Sequence, residues 1–126
     1  MHKAKQANVE ALAARERFEY FVRKVADLEV AWGLFSDGWA MAEDGAAARV
    51  LPFWPELEFA ASCATGPWAG YQPRPITLDD LLAKWLPGMS KDAVAVAVFP
   101  TSSDKGVIVT PDFLRDALVA EASQYD

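Results

Sequence analysis

Apolar residues recur at spacings of three and four from Val9 through Leu12, Phe18, Phe21, Val22 and Val25, with Arg15, Glu16, Glu19, Arg23 and Lys24 between them. That spacing puts one apolar stripe on a helix. Asn8 suits its N-cap, and the pattern changes period near Asp27 or Leu28. Residues 1–8 are expected to form a flexible terminus. The period then shortens to two. Residues 30–43 read as a β-hairpin around Asp37-Gly38, a dipeptide suited to a type I′ turn, whose two central residues both need φ > 0. That register pairs Ser36 with Trp39, Leu34 with Met41 and Trp32 with Glu43. Trp32, Leu34, Trp39 and Met41 then share one face, opposite Ala31, Gly33, Phe35, Ala40 and Ala42. Both faces are largely apolar, so the hairpin should be covered on both sides.

Further along, Asp44-Gly45 predicts a turn and residues 49–54 a third strand, after which Pro55 opens a short helix. Residues 65–75 form a loop rich in Gly and Pro, with a short extended edge near residues 71–76. Thr77 caps the helix "LDDLLAKWL", with Asp80 in the capping-box position, and Pro87-Gly88 ends it. Residues 93–99 alternate Ala and Val as a strand, "PTSSDKG" turns the chain, and residues 107–110 return antiparallel. Thr110 caps the last helix and Pro111 opens it. Its stripe is Phe113, Leu114, Ala117, Leu118 and Ala120 or Glu121. The order α-β-β-β-α-(β)-α-β-β-α predicts an α+β fold: one domain spanning residues 1–126, a mostly antiparallel sheet with flanking helices.

A chain of 126 residues, 52% hydrophobic and with five tryptophans, has enough apolar surface for one core. A net charge of -6 disfavours a nucleic-acid partner, whose phosphates demand a basic face. The single cysteine, Cys63, excludes an internal disulfide and fits a reducing compartment. No apolar run is long enough for a membrane span, and "MHKAKQANVE" lacks the apolar region of a signal peptide. A soluble cytoplasmic protein is expected, without membrane association.

Catalytic chemistry finds few residues to use. The one histidine, His2, sits at the terminus, which leaves no imidazole base for a serine or thiol nucleophile and no histidine-based zinc site. No Gly-rich phosphate loop occurs. Cys63 lies among alanines with no Lys or Arg beside it, as a buried, inert thiol would. The pairs Glu56/Glu58 and Asp79/Asp80 fall in first helical turns, where the macrodipole favours them. No catalytic residue, metal or cofactor is therefore expected. The segment "GPWAGYQPRP" is different. Trp68, Tyr71, Gln72 and Arg74 lie in a loop stiffened by prolines, and stiff loops with such side chains lose little entropy on binding. They read either as a binding site, joined by Trp32 and Trp39, or as a lid over the core.

The strings "RFEYFVRKVAD", "WGLFSDGWAMAED", "LPFWPELEFAASCA", "WAGYQPRPITLDDLLAKWLPGM" and "VAVFPT…GVIVTPDFL" resemble the bacterial DUF2750 family, a domain of unknown function, over nearly the whole chain. More distantly, the alternation of strands and helices looks like SseB-like domains. The resemblance implies an α+β fold and transfers no catalytic residue. Two functional readings stand: a small non-enzymatic protein-interaction module of a regulatory or immunity-like kind, or a small-molecule-binding domain or unusual enzyme with Arg74 and Lys84 holding an anionic ligand against Trp68 or Trp85.

Overall fold

The computed structural model describes residues 1–43, 45 and 48–125. The first apolar stripe is divided between two helices, α1 (Lys3–Glu10) and α2 (Ala14–Leu28). Asn8 is therefore inside α1 and caps nothing, and the helical turns begin ahead of it. A side-chain contact accompanies the break. The carbonyl of Leu12, which a continuous helix would commit to its own ladder, accepts from the guanidinium of Arg17 at 2.6 Å. Ala13 is extended instead, and its N–H donates to Glu16 Oε1 at 3.3 Å. Helix α1 docks through Gln6, whose amide donates to Ser62 Oγ at 2.8 Å.

The expected hairpin is not formed. Strand β1 (Val30–Phe35) pairs antiparallel with a strand much later in the chain, β4 (Gln72–Thr77). Near the turn only Phe35 and Trp39 bridge, and Gly38 does not have positive φ, although Asp37 does (57°). The turn is thus not type I′. Trp39 lies over Gly33, where an added Cβ would come within 2.8 Å of its ring, and meets Phe35 edge to face. It therefore sits on the Gly33 face of β1, opposite Trp32 and Leu34. The expectation that both faces are covered holds: Ala31 and Leu34, which point oppositely, are both buried.

Pro52 lies where the partner of β3 is interrupted. Strand β2 (Ala42–Glu43) pairs antiparallel with β3 (Arg49–Phe53), and Trp32 of β1 bridges Trp54 just beyond β3. Between Trp32 and Ala42 the chain spends ten residues against the four that separate Trp54 from Val50. The surplus is extruded as the Asp-Gly loop. Trp54 exchanges two 2.8 Å hydrogen bonds with Trp32, so alternate residues of β3 direct their backbone groups to that side. Pro52 is one of them, and it has no N–H to offer. A continuous partner strand would lose its bond there, and the chain leaves the sheet at that point. Of the expected Asp44-Gly45 turn, Asp44 lies outside the described residues.

The second sheet has the order β2-β3-β5-β6, with β5 (Ala95–Val98) parallel to β3 and antiparallel to β6 (Val107–Val109). Its two faces differ. Leu51, Phe53, Val96 and Val98 share one face, where β5 packs against α2 and α6 (Pro111–Ala122), Leu114 and Leu118 are fully buried, and Phe53 meets Trp85 at a ring distance of 6.0 Å. Val50, Pro52, Ala97 and Ile108 point the other way. Phe113 was expected in the buried stripe of α6. It is instead 57% exposed, with its ring 6.0 Å from that of Phe18.

Four expectations at helix ends meet three outcomes. Thr77 Oγ1 accepts from Asp80 N–H and Thr110 Oγ1 from Phe113 N–H, both at 3.1 Å, as the sequence predicts. Pro55 precedes α3 (Leu57–Ser62) without opening it; Glu56 holds the N-cap position. Pro87-Gly88 does not end its helix, which runs through α4 (Leu78–Asp80), a π-helical turn at Leu81–Trp85 and α5 (Leu86–Lys91). The wider π turn absorbs a proline that has no N–H for the helix ladder and whose ring would crowd the preceding turn. The architecture is α+β, as the element order predicted, and its strand pairs are antiparallel except β3 with β5.

Candidate binding cleft

The sheet face turned away from α2 and α6 carries small side chains, and small side chains leave room. Ala42, Val50, Pro52, Ala97 and Ile108 floor a cleft of about 350 Å³ between Trp68 and residues 101–105. A second cavity of about 390 Å³ adjoins it, sharing Ala42, Trp68, Thr101 and Ser102, and runs beneath Trp68 to Met41, Cys63 and Pro67. The floor is apolar, and the hydroxyls of Thr65, Thr101, Ser102 and Ser103 stand around it. Such a lining gives binding energy through burial and orientation through a few polar groups.

One wall is fixed by side chains from distant parts of the chain. After β5, Phe99 takes φ of 53°, a conformation a bulky residue adopts only when its surroundings impose it. Those surroundings are visible. Arg17, 3% exposed, donates Nε to the Phe99 carbonyl at 3.0 Å and pairs with Asp104 at 2.6 Å. The next carbonyl, of buried Pro100, accepts from Trp54 Nε1 at 2.9 Å and from Cys63 Sγ at 3.4 Å. Gly106 (φ 80°) closes the loop where a Cβ would lie 2.3 Å from the Val98 carbonyl. The hydrogen bond from Arg17 holds the Asp104 carboxyl below its ordinary range.

Trp68 forms the other wall. It ends a 3-10 turn (Gly66–Trp68) opened by Pro67, half-buried, with its ring edge to face against Trp54 at 6.0 Å. The remaining sequence candidates are dispersed. Tyr71 is half-buried against the core and Gln72 is exposed. Arg74 is exposed, its guanidinium 3.6 Å above the Phe35 ring and 5.8 Å from that of Trp39. Trp39 continues that cluster to Trp85 at 4.8 Å. Trp32 is half-buried opposite Pro75. Lys84 pairs with Asp80 at 3.5 Å. Trp68 and Arg74 thus belong to different aromatic clusters, although six residues separate them in sequence.

Burial pushes the Cys63 thiol up to about 11, so it is protonated near neutral pH and is no thiolate nucleophile. Tyr20 is likewise raised by burial and by donating to Glu56 at 2.5 Å. The sequence reading missed Met41, Ala97, Ile108 and residues 101–105. The one available signal was the alternation in "AVAVAVF", whose alanines mark a face with space above it. No helix is long and apolar enough to cross a membrane, and no group of three or more His, Cys, Asp or Glu side chains is placed to hold a metal ion, among the described residues.

Residues 18–118, spanning both walls and the floor of the cleft, match the family model described as protein of unknown function, DUF2750. The chain belongs to the DUF2750 family. No curated protein and no solved structure matches it, and the looser likeness to SseB-like domains finds no support. In this DUF2750 protein the matched span also includes Arg17's partners Phe99 and Asp104, though not Arg17 itself.

Proposed function

We propose that this DUF2750 protein is a non-enzymatic binding module that receives an apolar segment of a partner protein in the cleft between Trp68 and residues 101–105. One observation carries the reading: the strained wall at Phe99–Pro100, held by Arg17, Trp54 and Cys63 from three different parts of the chain. A wall fixed before the partner arrives loses little entropy on binding, which favours affinity. The apolar floor supplies burial and the hydroxyl rim supplies direction. The protonated Cys63 thiol supports a binding role over nucleophilic chemistry. The net charge of -6 supports a protein partner over a nucleic acid.

The test is peptide display against the purified chain, followed by affinity measurements on two variants. Ser102→Trp adds bulk at an exposed rim position that touches both cavities, and Trp68→Ala removes a wall. Selected peptides should carry an apolar anchor and bind each variant about tenfold or more weakly, the loss expected for a central contact. The melting temperature of Ser102→Trp should stay close to that of the parent. Peptides that bind Ser102→Trp and the parent equally would place recognition elsewhere.

A further inference from the structure

The sheet's outer strand β6 ends the order β2-β3-β5-β6, and no described strand pairs with its far side. Its three residues, Val107, Ile108 and Val109, are apolar and each is partly exposed. Edge strands of soluble proteins usually carry a Lys, a Pro or a bulge that prevents further pairing, and this one carries none within its span. Backbone direction along it follows from one bond. Phe99 N–H donates to the Phe53 carbonyl at 2.9 Å, so alternate residues of β5 face β3, while Val96 and Val98 face β6. Val109 and Val107 stand opposite those two, which directs the N–H and C=O of Ile108 outward.

Beside this edge, on the helix-covered face, lies an apolar groove of about 390 Å³ lined by Phe18, Val107, Val109 and the exposed Phe113. Arg15 and Glu19 stand at its rim, opposite charges on one surface of α2 and themselves only loosely paired at 3.8 Å. A surface that carries an unpaired strand edge, an apolar groove and both signs of charge is complementary to itself.

We infer that a second copy of this chain pairs antiparallel along β6 about a two-fold axis at Ile108, setting Arg15 of each copy against Glu19 of the other and closing the Phe113 groove. Ile108 of each copy then exchanges both backbone hydrogen bonds with its counterpart. Because the Ile108 side chain also floors the binding cleft, the pairing makes the two clefts neighbours on one continuous eight-stranded face. The contact is small, three strand residues and one groove, so the dimer is weak and depends on concentration.

Sedimentation velocity on the full chain, from about 5 µM to about 1 mM at low salt, reads the result directly, since small interfaces associate in that range. The weight-average mass should climb from one chain towards two. Phe113→Asp should hold the mass at one chain. Arg15→Glu and Glu19→Arg, both at exposed positions, should each weaken self-association about tenfold while circular dichroism and melting stay unchanged. Mixing those two variants should restore dimers, because each then meets the opposite charge. A one-chain mass at every concentration overturns the inference. So does a dimer indifferent to Phe113→Asp, or one that the mixture fails to restore.

Discussion

Two connections in this molecule reverse the chain next to a strand, and they are held in opposite ways. The extruded loop after β1 carries the Asp37-Gly38 turn, the strongest local turn signal in the sequence, and is held by its own backbone bonds, Ser36 to Gly38 and Ala40 to Leu34, and by side-chain packing. Trp39 lies back over Gly33, Phe35 and Trp85. The loop between β5 and β6 carries the weaker signal "PTSSDKG" and is held by buried polar bonds. The carbonyls of Phe99 and Pro100 are committed to Arg17, Trp54 and Cys63, and Arg17 reaches on to Asp104. The side-chain contacts that tie the first loop to the rest of the fold are non-directional and tolerate small shifts. A loop held by directed bonds to a buried guanidinium does not, because any shift leaves a buried polar group unpaired. The rigid loop is the one beside the cleft.

Substituting one glycine in each loop exposes the difference most strongly. Gly106→Ala should destabilise by about 3 kcal/mol, since the new Cβ meets the Val98 carbonyl in a conformation that already disfavours side chains. Urea denaturation measures it, and a loss below about 0.5 kcal/mol, the size of an ordinary surface substitution, would mean the loop yields easily.

Acid titration gives a smaller effect. The Asp104 carboxyl is held below the ordinary value of 3.8 by Arg17, so its stabilisation is fully present above that value and is lost as pH falls through the lower folded value. Asp104→Asn should therefore be less stable than the parent at pH 6, and the gap should narrow below pH 3.8. A gap that persists unchanged into acid would show that the ion pair is not its source.

The smallest effect belongs to the packed loop. Gly38 lacks positive φ and has open space where a Cβ would go. Gly38→Ala should stabilise by about 0.5 kcal/mol through the unfolded chain. In the type I′ turn that the dipeptide suggests, the same change would be destabilising, so the sign alone distinguishes the two geometries.

Local chemistry is what could be read in advance. The caps Thr77 and Thr110, the Val/Ala alternation of β5, the strand at residues 49–53 and the inert Cys63 each depend on neighbours a few residues away, and each appears where the sequence put it. The α+β class followed from their order. The pairing of β1 did not, because an Asp-Gly turn promises a local partner, while β1 finds β4, nearly forty residues on, along one edge and Trp54 along the other. The cleft came from Ala97, Trp68 and Thr101 meeting across the fold. By itself, then, the sequence determined the α+β class, the two threonine caps and the strands β3 and β5. The tertiary structure decided which strands meet and where the cleft opens, because backbone bonds and cavities between distant segments depend on what each part of the chain finds on the other side.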